Sequence, residues 1–259
     1  MTSPITCVIL AGRRANGDRV EQETGRHKAF LEFDGTCMID RVLGALGAIE
    51  RIKRTWIFAP DDLHGDLSSR NVAGTAIEML PAQSSPSQSV LEAVRRVPEG
   101  TSLLVTTCDL PLLTPQIIST FLDGIDDSAD VGAAVVTSDV YEAAYPGTKR
   151  TFIRFRDVSF SGANLFWFDP VAAEPLIQFW RRLEDNRKKP LKMATEIGIV
   201  TGLKYALGLL TQSGALKAIH RKTGVTGSFV PLPFAQAAID VDKMEDIETV
   251  ERILREAKA

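Results

Sequence analysis

Along the first half of this chain, short apolar runs alternate with segments of helical spacing, and each run is stopped by glycine, proline or a polar cluster. Cys7-Val8-Ile9-Leu10, Thr55-Trp56-Ile57-Phe58-Ala59, Ile77-Glu78-Met79-Leu80 and Ser102-Leu103-Leu104-Val105-Thr106-Thr107 read as strands. The last is nearly continuous in apolar and β-branched residues, as a strand covered on both faces should be. Between the runs, Met38, Val42, Leu43, Leu46 and Ile49 recur at helical spacing, and so do Val90, Leu91, Val94 and Val97. Asp34-Gly35 marks a turn, residues 61–74 are polar and loop-like, and the serines with Pro86 make a capped helix start. This alternation predicts an α/β fold, a Rossmann-like doubly wound sheet with mostly parallel strands. In such a sheet ligands bind beyond the carboxyl ends of the strands. The loops after the first, third and fourth strands should then share one edge.

Beyond Asp130 the pattern is less regular. Residues 131–137 read as a fifth core strand and 151–156 as a half-exposed one, because apolar and polar positions alternate there. Ser161-Gly162-Ala163-Asn164 reads as a small polar turn ahead of the apolar strand Leu165-Phe166-Trp167-Phe168. Helices are expected over 170–184, 190–203 and 205–219, and short strands over 229–232 and 238–242. A last helix over 244–258 turns Ile247, Val250, Ile253 and Leu254 inward. Loop signals are densest at 140–150 and 185–192.

Bulk properties narrow the class. A chain of 259 residues fits one large domain, with 44% hydrophobic and 24% charged residues and a formal net charge of -3. That charge argues against a protein held on nucleic acid by bulk electrostatics. Cys7, Cys37 and Cys108 are odd in number and far apart, which predicts free thiols in a reducing compartment and no structural zinc. The first residues lack a basic leader, and no apolar run has transmembrane length, so a cytoplasmic protein without an integral membrane segment is expected.

Candidate chemistry sits in three places. Thr6 to Leu31 opens as a strand, breaks at Ala11-Gly12 into an arginine-bearing loop and closes on His27-Lys28. Backbone N–H groups and positive charge gathered there suit a polyphosphate. Asp109 follows a fully apolar strand and faces the ligand edge; it suits a hard cation such as Mg²⁺, and equally a cap for the turn toward Pro111. Asp240 and Asp242, at strand spacing, point the same way, and a divalent cation relieves their repulsion; a solvated edge strand is the plainer alternative. Glu245 and Asp246 fall where a helix start favours negative charge. His64 and His220 sit in polar, surface-like stretches, while His27 is placed to assist Lys28.

Together these parts resemble the nucleotide-diphospho-sugar transferase superfamily, most closely its molybdenum-cofactor guanylyltransferase-like (MobA-like) NTP transferases. The matching features are LAG with a basic loop and Lys28, the serine loop opening a helix, Cys-Asp-Leu-Pro-Leu-Leu, and Ile-Asp-Val-Asp-x-x-Glu-Asp-Ile. They span roughly residues 5–140 and 236–256 and leave 141–235 without a named motif. One departure is Arg13, which stands where the family's LAGG has its second glycine.

The resemblance implies a single nucleotidyltransferase domain in three parts: a nucleotide-binding part (1–140), an acceptor-side α+β segment (141–235) and a metal-ligand strand with closing helix (236–259). It also implies roles for individual residues. Leu10, Ala11, Gly12 and Arg13, with Gln83, Ser87 and Ser89, would bind the nucleotide. Arg13, Arg14 or Arg19, together with Lys28, would hold the triphosphate. Asp109, Asp240 and Asp242 would carry Mg²⁺, and Gly162, Asn164, Lys189 and Lys192 would meet the acceptor. The implied reaction moves an NMP from an NTP to a phosphorylated small molecule and releases pyrophosphate, in a monomer or homodimer. Two rivals remain: a cytidylyl- or uridylyltransferase for a sugar, polyol or lipid-headgroup phosphate, and a nucleotide-binding regulatory module without turnover.

Overall fold

The computed structural model describes residues 3–13, 17–70, 76–186 and 196–258. Its centre is one sheet with strand order β10-β7-β9-β6-β1-β4-β5. These strands are β1 (Ile5–Leu10), β4 (Ile52–Ala59), β5 (Ala76–Pro81), β6 (Ser102–Thr107), β7 (Val131–Thr137), β9 (Ser159–Phe168) and β10 (Gly227–Pro231). The two-residue β8 (Ile153–Arg154) hangs on β9, and β2 (Glu32–Phe33) with β3 (Thr36–Cys37) forms a separate hairpin across the Asp34-Gly35 turn. All pairings along the main path are parallel except those of β9, which runs antiparallel to both β6 and β7.

The apolar runs fill both faces of this sheet. Cys7 and Ile9 pack on one side with Met38, Val42, Leu46, Ile117 and Phe121, which come from the helices Met38–Gly47 and Pro115–Asp123. Val8 points the other way, toward Trp56, Phe58, Val90 and Val94, with Ile177 of the helix Pro170–Asn186 behind them. Burying each such side chain contributes about 1.5–3 kcal/mol, and the two-sided coverage makes Thr6 the one polar residue of β1. The helix Pro86–Arg96 is capped by Ser85, whose hydroxyl accepts from the Gln88 N–H at 3.4 Å. In-register pairing of Leu10 with Phe58 and Thr107, and of Phe58 with Leu80, aligns the carboxyl ends of four strands on one edge.

Four sequence expectations need correction. Ser161 to Asn164 is not a turn: all four residues lie inside β9, and Ser161 and Gly162 pair with Val136 and Val135. The irregularity that the small polar residues signal is a local one, with Asn164 at φ 49° and a register shift opposite, between Ala133 and Val135. Only Ile153 and Arg154 of the 151–156 run pair as a strand, on the exposed edge. The 205–219 helix is instead divided: Ile199–Ala206 ends before Gly208 (φ 67°), and Gln212–Thr223 starts on the Thr211 cap. The 190–203 helix begins, in part, outside the described residues.

The fourth correction concerns 238–242. No ladder forms there; a 3-10 turn, Ala235–Ala238, leads into backbone tied to the end of β6 by the Val241 N–H, which bonds the Asp109 carbonyl at 3.0 Å.

Candidate active site

Asp109 follows β6 at the aligned edge and is 6% exposed. The Thr107 hydroxyl donates to its Oδ1, and Lys28 Nζ lies 2.6 Å from its Oδ2. Lys28 opens the 3-10 turn Lys28–Phe30 and is 7% exposed. Its ammonium also faces Asp242 at 3.4 Å and Asp18 at 3.6 Å. Burial alone would pull the Lys28 pKa down, but the charges of Asp109 and Asp242 and the bond to Asp109 outweigh it and hold the pKa above the ordinary lysine value.

The acidic C-terminal stretch reaches this point because Val241 is fully buried. Its N–H bonds the Asp109 carbonyl, so the carboxylates on either side of it come to the same place without a strand. Asp109, Asp240 and Asp242 each offer a carboxylate oxygen, all within 4.8 Å of one another. Three hard oxygen donors at this spacing fit a divalent cation of the magnesium or calcium kind and suit a soft metal poorly. Asp246 keeps the expected helix-start role: its Oδ2 accepts from the N–H groups of Asp242 and Lys243, each at 3.0 Å.

Asp240 also has partners that sequence reasoning missed. Arg150 donates from one guanidinium nitrogen to Asp240 Oδ1 at 2.7 Å and from Nε to the Ser161 hydroxyl at 2.9 Å. Asn164 Nδ2 lies 3.4 Å from Asp240 Oδ2. Arg150 sits in a stretch whose only sequence signal was that of a loop, so nothing pointed to it. Asp18, in the arginine-bearing loop, was missed as well; its Oδ1 accepts from the Val20 N–H at 3.0 Å and caps the helix Arg19–Thr24.

A cleft of about 780 Å³ opens from Asp109 and Lys28 along the loop edge. Leu10, Gly12, Arg13, Arg19, Gln83 and Ser89 line it, together with Gly17, Asp18 and Glu184. Gly17 is the glycine this loop requires, since its φ is +79° and a Cβ would fall 2.2 Å from Gln22. Gly12 has no such need; a Cβ there would meet only Ala82, at 3.8 Å.

Several expected ligands are engaged by the protein itself. The Ala11 N–H bonds the Phe58 carbonyl at 2.9 Å. Arg13 is held by Glu21 at 2.9 Å and by Asp62 at 2.8 Å, and these carboxylates raise its pKa. Ser87 is fully buried and bonded to Glu184, and the Ser89 hydroxyl accepts from the Gln83 N–H at 3.1 Å. Gly162 is exposed on β9, while Arg14, Lys189 and Lys192 lie outside the described residues.

His27 is 5% exposed and its Nδ1 accepts from the Ala29 N–H at 3.3 Å; burial lowers its pKa, so it is a neutral cap. His64, expected at the surface, is half-buried with Nε2 3.0 Å from the Ala59 carbonyl.

A mostly parallel α/β sheet with a polar cleft at its carboxyl edge, an acidic cluster and a buried lysine places this site where open α/β sheets bind their ligands. The chain belongs to the family of the MobA-like NTP transferase domain, which matches residues 7–197, and it is a nucleotidyltransferase enzyme. That match runs into the middle segment, where sequence motifs had given out. A hypothetical transferase from Thermus thermophilus shares 27% identity at a TM-score of 0.76, covering 95% of this chain and 99% of that one. More distant folds agree. The 4-diphosphocytidyl-2C-methyl-D-erythritol synthase of Anaerococcus prevotii aligns at TM-score 0.62 and 11% identity, over 98% and 100% of the two chains. A CMP:2-keto-3-deoxy-manno-octonic acid synthetase complexed with CTP aligns at 0.61 and 15%, with the same coverage. Among curated proteins no sequence matches.

Proposed function

We propose that this enzyme transfers an NMP from an NTP to a phosphorylated small molecule, with Mg²⁺ held by Asp109, Asp240 and Asp242. The observation that supports this most is the convergence of three carboxylates from distant segments within 4.8 Å, at the head of the 780 Å³ cleft. In this reading residues 1–140 carry the nucleotide, 141–235 the acceptor, and 236–259 return two of the three acids. A phosphate oxygen of the acceptor bonds to the α-phosphorus, and the bond from that phosphorus to the bridging oxygen breaks and releases pyrophosphate. When bound, the cation supplies charge neutralisation on the phosphates.

Lys28 stays protonated and adds a fixed positive charge beside the leaving group. Arg19, and Arg13 once it exchanges Glu21 and Asp62 for phosphate, bring further charge to the cleft. Gln83 and Ser89 flank the nucleoside, and Arg150, Asn164 and Gly162 face the acceptor. Little covalent work falls to the protein, so positioning and electrostatics carry the rate.

A second reading, transfer of CMP, draws on the cytidine nucleotides named for two of the structural relatives. Pyrophosphate release, measured with each of the four NTPs, Mg²⁺ and a panel of sugar, polyol and cofactor phosphates, tests both. Release should need one NTP together with an acceptor and fall about 10²- to 10³-fold in Asp109→Asn and in Lys28→Met. Equal release in these variants would contradict the assignment.

A further inference from the structure

The helix Ile199–Ala206 inverts the usual rule for a surface helix. Its inner face, Thr201 and Tyr205, closes an apolar cavity of about 260 Å³ against Phe155, Phe179 and Leu183. Its outer face is apolar as well: Ile199 and Val200 are 68% exposed and Leu203 58%, followed by Leu207 at 63% and Leu209 at 55%. At 100° per residue, positions 199, 200, 203 and 207 fall on one arc of about 100°. Among the described residues Ile153, Val171 and Met244 are exposed elsewhere along the chain, whereas these five and the half-exposed Tyr205 follow one another within eleven residues. A contiguous exposed apolar face of this kind marks a surface that something covers.

Charge says by what. Among the described residues of 181–222, Arg181, Arg182, Lys204, Lys217, Arg221 and Lys222 outnumber Glu184, Asp185 and Glu196, in a chain whose formal net charge is -3. Lys204, Lys217, Arg221 and Lys222 are exposed, and a Cβ on Gly198 would lie 4.0 Å from Lys222 Cε. The basic end of the helix Gln212–Thr223 therefore borders the start of the apolar one. A second copy meeting this one face to face would set the same exposed cations, Lys204, Lys217, Arg221 and Lys222, against each other. An anionic bilayer surface offers the opposite charge to the lysines and an apolar layer to the aliphatic side chains.

We propose that the helix Ile199–Ala206 docks on anionic membrane surfaces. Ile199, Val200, Leu203 and Leu207 enter the headgroup–acyl boundary, and the flanking lysines and arginines sit among the lipid phosphates. The enzyme binds there peripherally, since among the described residues no helix is long and apolar enough to cross a membrane. This inference does not rest on the nucleotide reading, because adsorption is measured without turnover.

The test is flotation of the full chain with phosphatidylcholine vesicles, with and without about 30% phosphatidylglycerol. Binding should appear on the anionic vesicles, weaken at least about tenfold when salt rises from about 0.05 to about 0.5 M, and be minor on neutral ones. Val200→Glu/Leu203→Glu should lose at least about tenfold in vesicle binding with an unchanged circular dichroism spectrum. Lys204→Glu/Lys222→Glu should lose the preference for anionic lipid. No adsorption by the folded wild-type protein at low salt would overturn the proposal. So would self-association abolished by Val200→Glu/Leu203→Glu, which would make this face a contact between copies.

Discussion

Lys28 shows how much one side chain holds together. It is buried among Asp18, Asp109 and Asp242, and no arrangement of those acids would be stable without a counter-charge. With its pKa raised, its contribution is complete below the unfolded-state value of 10.5 and is lost only as pH climbs through the higher folded-state value. Neutral pH does not touch it. His27, its neighbour, behaves oppositely: burial depresses its pKa below the ordinary 6.5. The unfolded chain then binds the extra proton first, so stability is full above about pH 6.5 and falls as pH drops through the folded-state value. Urea unfolding between pH 7 and 5 should show this loss, at most about 1.4 kcal/mol per pH unit. His27→Asn, which keeps a capping acceptor for the Ala29 N–H, should flatten that share of the slope. An identical slope in the variant would show that His27 is not responsible.

At the scale of elements, β9 is the instructive case. Every strand from β1 to β6 in the main sheet was legible, because two covered faces force a continuous apolar run and helical spacing resumes between runs. β9 was half hidden: its ten residues include Ser161, Gly162 and Asn164, which carry turn chemistry, and the strand tolerates them by distorting at Asn164. Asparagine adopts positive φ more readily than other side chains do, and a β-branched residue there is strained. Asn164→Val should therefore cost about 1–2 kcal/mol in a denaturant titration, and Asn164→Gly less than about 1 kcal/mol. Equal losses would mean that the side chain's bond to Asp240, rather than the backbone, sets the requirement. The 238–242 stretch failed as a strand for a related reason. Its alternation of apolar and acidic residues is real, but Val241 is buried as an anchor on Asp109 and not as a rung of a sheet.

For the molecule as a whole, it was the resemblance to the MobA-like NTP transferases, carried by the LAG loop, Cys-Asp-Leu-Pro-Leu-Leu and Ile-Asp-Val-Asp, that implied Asp109, Asp240, Asp242 and Lys28 belong together. No motif carried the partners reached only through folding: Asp18, in the basic loop, and Arg150, in a stretch with loop signals alone. Nor did any motif show that Arg13 is already paired, because Asp62 is 49 residues away. The central claim is that the three carboxylates form one divalent-cation site that works with bound nucleotide. Mn²⁺ binding, followed by loss of the free-ion electron paramagnetic resonance signal with and without NTP, tests it most directly. The account predicts a site tightened by NTP and weakened at least about tenfold in each of Asp109→Asn, Asp240→Asn and Asp242→Asn. Unchanged Mn²⁺ binding in all three variants would contradict it.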